Sequence, residues 1–305
     1  MFEPLVLGID LGGTQLRAAL VTAQGGIVRR LAVATDVAGG PRAILAQMVG
    51  LAESLGVTAA HSPIAAAGVC APGPLDSDTG TILDIPTLPG WADYPLRQNL
   101  SEALSLPAIL ENDGIAAAFG EWKFGAGRGL ANLVYVTVST GIGGGVVADG
   151  RLLRGRRGMA GHVGHMMIAA DGPPCACGGT GYFEAFASGT ALGLAGRGKG
   201  FADAGAIVAA ARQGNNDAIA LLRREADYLG YGFASLLHLY SPERLIVGGG
   251  VSQALDLLLP GIRDSIGRFA MPPFRAAGIV RAELGGNAGL AGAAGLAHFK
   301  FIARK

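Results

Sequence analysis

Three stretches of the chain join glycines to side chains that hold anions or metal ions. Gly8-Ile9-Asp10-Leu11-Gly12-Gly13-Thr14 follows a short apolar run. Glycines at such a turn let backbone N–H groups approach an anion, and Thr14 adds a hydroxyl donor. Asp10, at the end of a predicted strand, is an oxygen ligand suited to hydrated Mg2+. Ser139-Thr140-Gly141-Ile142-Gly143-Gly144-Gly145 repeats the design after a strand ending at Val138. Val247-Gly248-Gly249-Gly250-Val251 is a third glycine turn, between a strand and a helix. Any one of these reads as an ordinary tight turn. Three at strand ends, two of them pairing an acid or hydroxyl with glycines, read as a nucleotide site. Two competing motifs fail. Gly193 to Lys199 has P-loop spacing, but Gly200 stands where the Mg2+-binding Ser or Thr belongs and no strand precedes it. Gly125-Ala126-Gly127-Arg128-Gly129 lacks both the dinucleotide spacing and a feeding strand. Both read as loops.

The elements that must position these turns follow from periodicity. Leu5–Asp10, Leu16–Val21 and Ile27–Ala34 read as three strands joined by tight turns. Pro41–Leu55 carries Ile44, Leu45, Met48, Leu51, Ala52 and Leu55 at helical spacing. Ile64–Val69 is a strand ending at Pro72-Gly73-Pro74, and Ile109-Leu110 leads through Glu111-Asn112-Asp113 into a helix over Ile115–Phe124. In the second half, Leu133–Val138, Gly144–Ala148 and Leu245–Val247 read as strands. Asp217–Tyr240, Leu255–Ile266 and Leu290–Phe299 read as helices. Alternating strands and helices predict an α/β fold. Both halves open on a strand pair around a glycine turn, which predicts two related α/β domains flanking a cleft. The expected division is 1–120, completed by a C-terminal helix over 290–305, and a larger domain over 121–289.

Composition excludes other classes. The chain has 305 residues, of which 51 are glycine and 50% are apolar. Disorder requires low hydrophobicity and high net charge, and the net charge here is +1. No uninterrupted apolar run of about 18 residues suggests a membrane span. Arg151, Arg154, Arg156 and Arg157 form the densest basic stretch and read as a solvated loop, so no nucleic-acid footprint is expected. Three cysteines cannot build a disulfide framework and suit a reduced cytoplasmic setting. Met1-Phe2-Glu3-Pro4 has neither the basic nor the apolar region of a signal peptide. His61, His238 and His298 read as surface or satisfied helix histidines. Cys70 reads as a small core residue, and Trp91 and Trp122 as packing.

Together the motifs resemble a family. Asp10-Leu11-Gly12-Gly13-Thr14, the Ser139–Gly145 stretch and Gly248-Gly249-Gly250-Val251 look like the phosphate-1, phosphate-2 and adenosine motifs of sugar kinases with the actin/hexokinase-type, ribonuclease H-like fold. Ala71-Pro72-Gly73-Pro74, Leu88-Pro89-Gly90-Trp91, Glu111-Asn112-Asp113, Gly161-x-x-Gly164-His165 and Cys175-x-Cys177-Gly178-x-x-Gly181 narrow the resemblance to the ROK family (repressor, open reading frame, kinase). It runs from about Leu5 to Ala293. The resemblance implies transfer of the ATP γ-phosphoryl group, with Mg2+, to the 6-hydroxyl of a glucose-type hexose or an N-acetylmannosamine-type N-acetylhexosamine. It implies Asp113 as general base, Asn112, His162, His165, Glu184 and Gly73 on the sugar side, and Asp10, Gly12, Gly13, Thr14, Thr140, Gly141, Gly143, Gly248, Gly249 and Gly250 on the nucleotide side. A cap on the following helix is the bland alternative for Asp113. The implied assembly is a homodimer or homotetramer. Nine residues before Asp10 are too few for the DNA-reading module of the family's repressors.

Two departures from the family pattern leave alternatives open. The family's zinc site is one His and three Cys. Here His165, Cys175 and Cys177 are present, and Tyr182 occupies the third Cys position. Structural zinc takes four ligands, and a tyrosine phenol is a poor one. Either three ligands and water hold zinc, or Tyr182 packs in a metal-free loop. The second departure is His162, where most relatives carry Glu. An imidazole both donates and accepts, which suits an N-acetyl carbonyl, whereas Ala71–Pro74 and Leu88–Trp91 look like glucokinases. Thr87 also replaces a common Asn. A sugar-binding protein of impaired activity and regulatory role is the alternative function.

Overall fold

The computed structural model describes residues 4–57, 64–85 and 88–303. Met1, Phe2, Glu3, His61 and Thr87 lie outside the described residues. The chain divides into two compact units. The first comprises 1–129, 152–161 and 286–305, and the second 130–151 and 162–285.

In the first unit, β1 (Leu5–Leu11), β2 (Gln15–Val21) and β3 (Ile27–Ala34) form an antiparallel meander. After α1 (Gly40–Ser54), β4 (Ile64–Ala71) pairs parallel to β1. The short strands β5 (Leu75–Asp76) and β6 (Thr81–Ile82) and the helix α2 (Leu96–Leu104) precede β7 (Ala108–Asn112), which pairs parallel to β4. The sheet order is β3-β2-β1-β4-β7. A proline in the first turn of α1 supplies its own helical φ, and Ile44, Met48, Leu51 and Ala52 face the sheet's buried side chains. Burial of Ile44, Met48 and Leu51 contributes about 1.5–3 kcal/mol each. α3 (Asp113–Phe124) and the C-terminal helix (Ala288–Phe301) belong to the same unit. They cross on small residues: a Cβ on Gly292 would stand 1.7 Å from the Ala116 carbonyl oxygen.

In the second unit, β8 (Leu133–Val138) and β9 (Ile142–Ala148) form a hairpin, and β10 (Arg151–Leu152) lies at the sheet's edge. The helices α4 (Phe183–Ala187), α5 (Gly189–Arg197), α6 (Ala204–Arg212) and α7 (Asn216–Tyr240) precede β11 (Arg244–Gly248). After α8 (Leu255–Phe269) comes β12 (Gly278–Arg281). The order β10-β9-β8-β11-β12, with β8, β11 and β12 parallel, repeats the topology of the first sheet. No described helix is long and apolar enough to cross a membrane.

Several expectations need correction. The segment 121–129 stays with the first unit, because Glu121 is buried at the end of α3 and its carboxylate accepts the Ala126 N–H. Leu152–Gly161 also returns to the first unit, so the second unit is not the larger one. Gly193–Arg197 is the end of α5, not a loop; Ser188 caps that helix and Leu192 anchors it. Arg154 and Arg157 are not a solvated loop, because both are paired with buried carboxylates. The His298 Nδ1 is buried without a hydrogen-bond partner, so it is not a satisfied histidine. His238 is satisfied, accepting the Met271 N–H at Nε2.

Candidate active site

The carboxyl ends of β1, β4 and β7 lie side by side in the first unit. Register aligns Asp10 with Cys70, Cys70 with Glu111, and Ala71 with Asn112. In open α/β sheets ligands bind beyond these strand ends. Asp10 is buried, and Arg17 holds its Oδ2 at 2.6 Å. Burial raises the Asp10 carboxyl above its ordinary range, against the opposing pull of Arg17. Arg17 was not among the sequence candidates. A hairpin turning at Gly12–Thr14 puts residues 10 and 17 opposite each other, and that pairing was the available signal.

Asp113 opens α3 and is half-buried. Burial first, then the negative charge of Asp10, pushes its carboxyl up to about 6. The cap on α3 is Asn112, not Asp113. The Asn112 Oδ1 accepts N–H bonds from Gly114 and Ile115 at 3.0 and 3.3 Å, which leaves its amide nitrogen as the side chain's donor, with two hydrogens. The Asp113 Oδ1 accepts the Gly114 N–H at 2.8 Å, and the Asn112 side chain also bonds its carboxyl, opposing the rise. Between these acids lies Cys70, fully buried, its thiol pushed well up by burial and by Asp10 and Asp113.

At the β1–β2 turn the Gly12 N–H is taken by the Gln15 carbonyl. Gly13 and Thr14 are exposed at its tip, and a Cβ on Gly13 would meet no protein atom within 4 Å. Gly73 follows β4 by two residues.

The second unit builds a cavity of about 460 Å3. Its walls include Ser139 and Thr140 from the β8–β9 turn, Thr190 from α5, Asp203 from the start of α6, and Gly250 and Gln253 after β11. The structure thus brings the second and third glycine turns to one place. Thr190, Asp203 and Gln253 are additions, invisible to a search for glycine turns. Gly248 and Gly249 pack against Tyr135 and the Val138 backbone, whereas Gly250 faces open space. Gly143 sits inside β9 opposite Thr137.

Glu184, in the first turn of α4, accepts the Ile142 N–H at Oε2, 2.7 Å away. That carboxylate occupies the space a side chain on Gly141 would need. The Cys175 thiol donates to Glu184 Oε1 at 3.7 Å. His165, Cys175 and Cys177 bring one ligand atom each to within 4.8 Å of one another. The Tyr182 ring lies beside His165, with centroids 5.4 Å apart. His162 and His165 are both exposed, with ring centroids 6.2 Å apart. Burial and the neighbouring His165 lower the His162 pKa, so its imidazole is neutral at pH 7 and both donates and accepts.

The ROK family model matches residues 6–300. A glucokinase of Streptomyces coelicolor is 36% identical over 96% of this chain and 97% of its own. An N-acetylmannosamine kinase of Escherichia fergusonii is 38% identical over 81% of this chain and 84% of its own. Among solved structures, a ROK family glucokinase from Streptomyces griseus in complex with glucose and AMPPNP is 35% identical. It superposes with a TM-score of 0.85 over 97% of this chain and 99% of its own.

Proposed function

The chain belongs to the ROK family, and we propose that it is an ATP-dependent sugar kinase that phosphorylates the 6-hydroxyl of a hexose or an N-acetylhexosamine. The observation that carries this reading is Asp113, a strand-end carboxyl pushed up to about 6 and relieved of capping by Asn112. At pH 7 such a group is ionised and accepts the hydroxyl proton as the oxygen attacks the γ-phosphorus. The rest of phosphoryl transfer is positioning and charge neutralisation. The Asn112 amide donates to sugar hydroxyls, and Gly73 lets backbone approach the ring. Gly13, Thr14 and Thr140 bind phosphate, and the cavity beside Gly250 takes the adenosine. His165 and Glu184 contact the sugar, and His162 discriminates between acceptors.

Mg2+ fits the oxygen-donor chemistry of Asp10 and supplies charge neutralisation on the phosphates when bound. The convergence of one imidazole nitrogen and two sulfurs fits Zn2+ as a structural ion on His165, Cys175 and Cys177. That ion would hold the 165–177 loop in place and takes no part in chemistry. The assembly we expect is a homodimer or homotetramer.

A second reading, a sugar-binding regulatory protein without turnover, draws on Glu184. Both its oxygens are engaged by the protein itself, by Ile142 and Cys175. ADP release measured with glucose, mannose and N-acetylmannosamine separates the two. Turnover on any one supports the kinase. Calorimetric sugar binding with no ADP release supports the regulator.

A further inference from the structure

Arg154 and Arg157 join Asp76, Ser77 and Glu111 in one polar cluster of the first unit. Arg154, with its side chain 44% exposed, places NH2 3.0 Å from Glu111 Oε2 and donates to the Ser77 hydroxyl at 2.7 Å. Glu111 is 1% exposed. Arg157 donates through Nε to Asp76 Oδ2 at 2.7 Å, and its carbonyl accepts the Ser77 N–H at 3.0 Å. Arg157 has φ +62° and Gly158 φ +74°. Non-glycine residues seldom take that conformation, yet here it lets one residue use both its side chain and its carbonyl on β5 and Ser77. Residue 158 cannot carry a side chain, because a Cβ there would stand 1.7 Å from the Ser77 Oγ.

The cluster continues toward Asp113. The Glu111 Oε1 accepts the Asn112 N–H at 3.0 Å, and the Asn112 Oδ1 accepts the N–H groups of Gly114 and Ile115. Burial raises the Glu111 carboxyl above its ordinary range, and Arg154 is the largest influence opposing that rise. An unpaired buried carboxylate is strongly disfavoured, so the guanidinium favours the charged form of Glu111 and holds it beside the Asn112 amide.

We propose that Arg154 is a positioning residue for the reaction: through Glu111 it fixes the backbone of Asn112 and so the aim of the Asp113 carboxylate. This rests on the reading of Asp113 as the base. Arg157 and Ser77 hold the same segment onto β5, just after the turn that carries Gly73.

The test combines kinetics with amide exchange on the full chain. In Arg154→Ala we expect kcat to fall at least about tenfold with the ATP KM unchanged within twofold, and exchange at the Asn112 amide to quicken at least about tenfold. Arg154→Lys, which keeps the charge, should stay within about threefold of the parent kcat. Arg156→Ala, an exposed neighbour in the same segment, should change neither readout. Where Arg154→Ala does not fold, Glu111→Gln carries the test, with the same expected loss of kcat. A folded Arg154→Ala or Glu111→Gln with parental kcat and parental exchange overturns the proposal. So does a loss of kcat with unchanged exchange at Asn112, which would place Arg154 on the substrate instead. A parent protein that phosphorylates no sugar overturns the reading of Asp113, and the exchange measurement still decides the role of Arg154.

Discussion

The two sheets share one strand order and carry opposite chemistry at their strand ends. At the ends of β1, β4 and β7 the first sheet gathers Asp10, Glu111 and Asp113, with Arg17 and Arg154 as counter-charges. At the ends of β8 and β11 the second gathers hydroxyls and glycines around an open cavity. The same topology is used once to bury charge and once to leave backbone approachable. Buried charge is costly unless paired, and it suits proton transfer. Open backbone suits a bound anion. The contrast extends to isolated acids. Glu111 in the first unit has a partner, while Glu225 in the second, 2% exposed, has an Oε1 with none.

The comparison breaks most visibly at Asp113. Asp113→Asn should lower kcat by about 100-fold or more, the range of general-base contributions, with ATP affinity intact by calorimetry. Gly250→Leu should do the reverse. A Cβ there meets no protein atom within 4 Å, so we expect the fold to survive while the ATP KM rises about tenfold, equivalent to about 1.4 kcal/mol. Steady-state kinetics with each substrate varied separates these two outcomes.

Acid pH offers a third handle. A base with a pKa of about 6 must be ionised to act, so kcat/KM should rise with pH through about 6 and level off above it. A plateau extending unchanged down to pH 4.5 would remove Asp113 from that role.

The last effect, at Glu225, is on stability and not on turnover. Burial raises its pKa to about 8 in the folded chain, above the unfolded value near 4.3. The folded state therefore binds the proton more tightly, and stability is lost as pH rises between these values. By linkage, the stability of Glu225→Gln relative to the parent should rise by about 3 kcal/mol between pH 5 and pH 8, because only the parent must ionise a buried carboxyl. Denaturant unfolding at the two pH values reads this directly.

The sequence made the strand-end half of this contrast legible and the paired half illegible. The β1–β3 meander, β8 and the glycine turns are local patterns, set by period and by turn residues within a few positions. Helices α5 and α6 were missed because glycines and alanines dilute their apolar faces; Leu192 and Ile207 are among the few large buried anchors. The pairings of Arg154 and Arg157 were missed for a different reason. Arg154 and Arg157 bond to partners 77 and 81 residues away, and no local spacing encodes such a pairing. Asn112 and Asp113 were found together, but which one caps α3 depends on side-chain geometry that the residue types alone leave open.

The central proposal is ATP-dependent phosphorylation of a sugar hydroxyl. Phosphorus NMR of mixtures containing ATP, Mg2+ and glucose, mannose or N-acetylmannosamine tests it most directly. The account expects a sugar 6-phosphate resonance that grows in step with ADP for at least one sugar, and none without sugar. ADP formed equally in the absence of sugar, or no sugar phosphate from any of the three while ATP is bound, would contradict it.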